Sequence, residues 1–120
     1  ISLKLAKELN EIIAQASGGP AGVRDTGSLL SALNVPSKDL LKGLYPTAVE
    51  KSAAIVESII INHPFIDGNK RMGYAFMRLL LSEDGYDLKA SKDAIFKSIV
   101  SISKGEINKK EIIVWIKNHI

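Results

Sequence analysis

The sequence contains no cysteine. Thiol nucleophiles, disulfides and thiolate metal sites are therefore excluded together. Histidine is scarce as well, since His63 and His119 are the only two, too few for a three-histidine zinc centre. Long hydrophobic runs are also missing. The longest stretches without a charged residue, 12–23 and 26–37, hold 12 residues each and contain glycine or proline, well short of the roughly 20 apolar residues that cross a membrane. Lys4, Lys7 and Glu8 interrupt the apolar positions at the start, so no signal peptide is expected and the cytoplasm is the expected compartment. Ile1 stands first, so a start Met is expected upstream of it. Clustered basic charge is lacking too. The 16 Lys and Arg exceed the 13 Asp and Glu only slightly, and Lys70-Arg71 and Lys109-Lys110 are the only adjacent basic pairs. Direct binding of nucleic acid is not expected from that pattern.

What remains is a chain of 120 residues, 46% apolar and 24% charged, the composition of one soluble domain over 1–120 with a core that needs no staple. Leu5, Leu9, Ile12, Ile13 and Ala16 recur at helical steps, and Ser17-Gly18-Gly19-Pro20 stops them. Leu29, Leu30 and Leu33 predict a short second helix, ended by Asn34-Val35-Pro36. Residues 37–44 read as a surface segment hinged at Gly43. Pro46 suits the first turn of a third helix that runs to about Asn62. Its apolar residues cover most of the circumference, which places it at the centre of the bundle. Asn69 is a candidate N-cap for a fourth helix, Ser91 with Asp93 opens a fifth, and Asn108 with Glu111 has capping-box spacing for a sixth. Tyr86-Asp87-Leu88 is the only stretch that could be extended. The expected fold class is all-α with about six helices.

One connection departs from this pattern. His63-Pro64-Phe65-Ile66-Asp67-Gly68-Asn69-Lys70-Arg71 gathers an imidazole, a carboxylate, an amide and two cations between two buried helices. A loop that feeds a helix N-terminus offers unpaired N–H groups and the positive end of the dipole to an anion. Lys70 and Arg71 add full charges there, and Gly68 lets the backbone approach a ligand closely. Asp67 is a hard oxygen ligand suited to Mg²⁺ on phosphates. His63 can serve as a general base at neutral pH. These are the parts of phosphoryl or nucleotidyl transfer.

The same residues resemble the signature of the Fic/Doc family, and of its Doc (death-on-curing) branch in particular. The pattern His-x-Phe-x-Asp/Asn-Gly/Ala-Asn-Lys-Arg is met by His63, Phe65, Asp67, Gly68, Asn69, Lys70 and Arg71. Gly22-Val23-Arg24-Asp25-Thr26-Gly27 with the leucines behind it, Tyr45-Pro46-Thr47, Glu50-Lys51 and Gly105-Glu106 also look Doc-like. The resemblance implies a compact six-helix Fic/Doc-like bundle with a short flap before the central helix, here at 34–44. Members similar to the AMP-transferring enzymes have Gly where Lys70 stands and an Arg where Tyr74 stands. Both departures imply the kinase branch, which moves the γ-phosphate of ATP to a protein hydroxyl, for Doc-like toxins a threonine of elongation factor Tu. His63 would then be the general base, Asp67 the Mg²⁺ ligand, and Gly68, Asn69, Lys70 and Arg71 the phosphate site. Phe65 would anchor the loop in the core.

Self-inhibiting members carry Ser/Thr-x-x-x-Glu-Gly/Asn on a helix, and that spacing does not occur here. The resemblance therefore implies a Phd-like antitoxin acting in trans. Two other readings of the residues stand beside the kinase: Fic-like AMP transfer, and a non-catalytic helical module that binds phosphate or nucleic acid.

Overall fold

The computed structural model describes residues 1–34 and 47–120. The flap expected at 34–44, the Gly43 hinge and Pro46 fall outside the described residues, except that Asn34 closes the second helix. Among the described residues there are six helices and no strand: α1 (Leu3–Ser17), α2 (Thr26–Asn34), α3 (Ala48–Asn62), α4 (Asn69–Glu83), α5 (Lys92–Ser103) and α6 (Lys109–Lys117). The fold is all-α. No described helix is long and apolar enough to cross a membrane.

Short polar side chains start most of these helices. Ser2, Thr47 and Ser91 accept the N–H of Leu5, Glu50 and Ala94 at 3.1 Å each. Asp25 accepts the Ser28 N–H at 3.1 Å and so opens α2 a turn before its leucines. The Asn108–Glu111 capping box is formed in both directions. Each such cap satisfies a donor that the helix cannot pair internally and stabilises by about 1 kcal/mol.

α3 lies at the centre, in contact with α2, α4, α5 and α6. One of its faces, with Ile55 and Ile59, meets Ala6 of α1, Leu29 and Leu33 of α2, and Met72, Phe76 and Leu80 of α4. The opposite face, with Val49, Ala53, Val56 and Ile60, meets Met77 and Leu81 of α4, Ile99 and Ile102 of α5, and Ile112 and Ile116 of α6. A helix covered on both sides needs apolar residues all round, and burying each large one stabilises by roughly 1.5–3 kcal/mol. α3 and α4 approach closely at Gly73, where a Cβ would lie 2.9 Å from Ile60 Cγ1 and 3.4 Å from the Val56 carbonyl. Trp115 and Ile113 pack against the second core, as their helical spacing suggests.

Two expectations need correction. Asn69 is the first residue of α4 rather than its N-cap; Gly68 is the cap, in a left-handed conformation with no side-chain bond to the helix. The Asn69 amide turns back to Phe65 instead. Extended pairing also falls elsewhere than at Tyr86–Leu88. Leu88 is buried in the core and Lys89 N–H donates to the His119 carbonyl at the end of α6. The one β-bridge among the described residues joins Val23 to Phe65, antiparallel.

Candidate active site

That bridge is the centre of the site. The connection between α1 and α2 runs antiparallel to the connection between α3 and α4, and the two are laced together. Ile66 N–H donates to the Gly22 carbonyl at 3.0 Å, and the Arg24 and Asp25 N–H groups donate to the Pro64 carbonyl at 2.8 and 3.1 Å. At the far end Gly19 lies under Asp67, so close that a Cβ on Gly19 would overlap the carboxylate oxygen Oδ2. A larger residue there would make the exposed Asp67 side chain turn away.

Inside this lacing the loop is pinned from below. Phe65 has no exposed surface and packs at a tilt on Phe76, ring centroids 6.5 Å apart. The Asn69 side chain, 8% exposed, accepts the Phe65 N–H at 2.9 Å and donates to the Phe65 carbonyl at 3.0 Å. The amide thus closes a ring across the turn and satisfies both backbone groups of a buried residue.

His63 ends α3 in the left-handed region, with φ 51° and ψ 57°, and its side chain is exposed. Its Nδ1 lies 3.0 Å from the Ile61 carbonyl. A carbonyl only accepts, so this contact is a hydrogen bond when Nδ1 carries the proton, and in that neutral tautomer Nε2 is the accepting nitrogen. Arg24 covers the same helix end, Nε donating to the His63 carbonyl at 2.7 Å and Nη2 to the Asn62 carbonyl at 2.8 Å.

His63, Asp67, Gly68, Asn69, Lys70 and Arg71 line a single open cleft of about 770 Å³. The structure therefore brings every sequence-predicted site residue to one place. Gly68 supplies no side-chain cap to the 15-residue α4, and its first residues, Asn69, Lys70 and Arg71, line that cleft. A helix start of this kind favours an anion. Asp67 is exposed at the same rim, and among the described residues no three His, Asp or Glu side chains are grouped as a metal cage. One carboxylate beside a helix start that favours an anion fits the way Mg²⁺ binds, since that ion takes one or two carboxylates together with phosphate oxygens and water.

The opposite wall was not legible in the sequence. Lys92, Ile95 and Phe96 of α5 line the cleft with Ile66 and Tyr74, and Phe96 is 66% exposed. Their spacing reads simply as a helix face. Tyr74 accepts from Arg78 Nη1 at 3.0 Å, and Arg78 Nη2 donates to Asp87 at 2.6 Å. The bond to Tyr74 and then the nearby Asp87 charge hold the guanidinium even more firmly in its charged form. The role of Arg24 also had no local signal, because its partners lie 38 and 39 residues away.

A profile of the Fic/DOC family matches residues 1–81, which include the whole of the laced loops and the start of α4. The chain belongs to the Fic/DOC family. Among its relatives is the protein named Toxin Doc from Mycolicibacterium smegmatis (strain ATCC 700084 / mc(2)155), 37% identical over 79 residues. That match covers 65% of this chain and 61% of the relative, so it spans less than two thirds of the relative's length. The Fic/DOC match ends within α4, and α5 and α6 lie beyond it.

Proposed function

We propose that this Fic/DOC chain is a Doc-type toxin that acts as a kinase, transferring the γ-phosphate of ATP to a hydroxyl of a protein. The acceptor is a threonine of elongation factor Tu, and its modification arrests translation. The observation that carries this reading is the juxtaposition in one cleft of a histidine with a free Nε2 and a helix start flanked by Lys70 and Arg71. Likeness to a protein named Toxin Doc supports the toxin part, and Lys70, in place of the glycine of the AMP-transferring branch, supports the kinase part.

In this mechanism Nε2 of His63 accepts the proton of the attacking hydroxyl as its oxygen bonds to the γ-phosphorus. The bond from that phosphorus to the bridging oxygen breaks, and ADP leaves with the electron pair. Lys70, Arg71 and the first N–H groups of α4 hold the phosphates in line and meet charge as it develops. Asn69 contributes by fixing the loop, its amide being engaged with Phe65. Asp67 would hold Mg²⁺, which when bound neutralises charge on the phosphate oxygens. Restraint comes from a Phd-like antitoxin in trans.

The test is intact-mass spectrometry of elongation factor Tu after incubation with this protein, ATP and Mg²⁺. The expected result is one gain of about 80 Da, the mass of a transferred phosphoryl group, that is absent with His63→Ala. A gain of about 329 Da, an AMP group, would overturn the kinase reading. Lys70→Gly sharpens the branch assignment, because the kinase reading expects it to change the rate or the group transferred.

A further inference from the structure

We propose that Arg24 is a positioning residue for His63, acting through the backbone that ends α3; this rests on the reading of His63 as the base. The starting observation is conformational. His63 is the one non-glycine residue with positive φ among the described residues, and a β-carbon disfavours that region. A residue kept there has to be held by its surroundings.

Arg24 supplies the hold. Its guanidinium donates to the carbonyls of Asn62 and His63, and its own N–H donates to the Pro64 carbonyl. One residue thus grips three consecutive carbonyls. Two of them belong to the last turn of α3, where the helix dipole is negative and a planar cation with parallel donors fits best. The imidazole depends on the same backbone. Its Nδ1 contact is to the carbonyl of Ile61, two residues back, so that bond forms only if residues 61–63 keep this turn. Release of Arg24 frees the turn, and the ring loses the bond that keeps the proton on Nδ1 and Nε2 bare.

Arg24 is itself tied to the first helix. The Gly22 N–H donates at 2.8 Å to Asn10 Oδ1, an amide buried to 3% exposure in α1, and the Gly22 carbonyl accepts from Ile66. A guanidinium anchored in this way does not line the cleft. Its expected signature is therefore a loss in the rate of proton removal with the phosphate cradle on α4 unaffected.

Because the chain has only two histidines, ¹⁵N-histidine labelling of the full chain gives a readable NMR spectrum. At about pH 9, above the ordinary histidine range, the wild type should show His63 protonated at Nδ1. In Arg24→Ala the His63 signals should move towards the free-imidazole mixture, in which Nε2 protonation predominates. His119, whose Nδ1 lies against the Trp115 carbonyl at the far end of the fold, should not move. In the transfer assay kcat should fall roughly 10- to 100-fold, the scale of a small misplacement of a catalytic group, with the KM for ATP within about twofold of wild type. Arg24→Lys keeps the charge but not the fork, and should move both readouts in the same direction by less. An unchanged His63 tautomer in both variants, or a raised KM with kcat intact, would overturn the proposal. If His119 moves as well in Arg24→Ala, that variant has lost its fold and Arg24→Lys decides with the same two outcomes. If the wild type modifies no acceptor, the kinase reading fails by itself, and the tautomer measurement still decides the role of Arg24.

Discussion

The two ends of the molecule are held in different ways. In the second half, α5 and α6 start at Ser91 and at the Asn108–Glu111 box, contacts that span three residues each and could form in a short peptide. The other part, α1 to α4, places its candidate site on a connection whose bonds run to residues far away in the chain: Arg24 to Asn62 and His63, Gly22 to Ile66, Asn10 to Gly22. Local caps set where a helix begins. Long-range lacing sets where a loop points.

The sharpest way to separate the two parts is at His63, the base of the proposed kinase. His63→Ala is expected to lower phosphoryl transfer by about 10²- to 10⁴-fold, the usual share of a general base, while urea unfolding stays near wild type because the side chain is exposed. Retained transfer would remove His63 from the mechanism. Next in size is Phe65→Ala, which empties a fully buried site under the loop. A loss of about 3–5 kcal/mol in chemical denaturation is expected, together with loss of transfer; a stable, active variant would show that the loop does not depend on its anchor.

Asn108→Ala probes the other part. Loss of the capping box at α6 should cost about 1 kcal/mol and leave transfer unchanged, so a fall in transfer would mean that the two parts are coupled through the core. The smallest effect concerns acid. Asp25 accepts the Ser28 backbone N–H and hydroxyl, which, with the backbone bond foremost, hold its carboxyl below the usual aspartate value. A lowered folded pKa gives stability that is present above the ordinary value near 3.9 and lost as pH falls through the lowered one. Asp25→Asn should therefore narrow its stability difference from wild type when thermal unfolding is followed from pH 7 to pH 3, and a constant difference would remove the charge from the account.

Much of this was legible in the residues. The apolar periods of α1, α3 and α6 and the caps at Ser91 and Asn108 are local patterns, and the helices formed where those patterns lie. The nine residues from His63 to Arg71 marked the site through their density of chemistry. Asn69 misled because an amide before a helix serves equally as a cap or as a staple. The choice went to the staple since Phe65, once buried, leaves an N–H and a carbonyl that need partners.

By itself the sequence determined the all-α class, the central position of α3 and the residues of the candidate site, because helical period, capping and a contiguous motif are all encoded within a few positions. Tertiary structure alone decided that Arg24 grips the end of α3, that Gly19 lies against Asp67, and that α5 walls the cleft. Each of these depends on groups brought together across tens of residues, and no local pattern carries the distance between them.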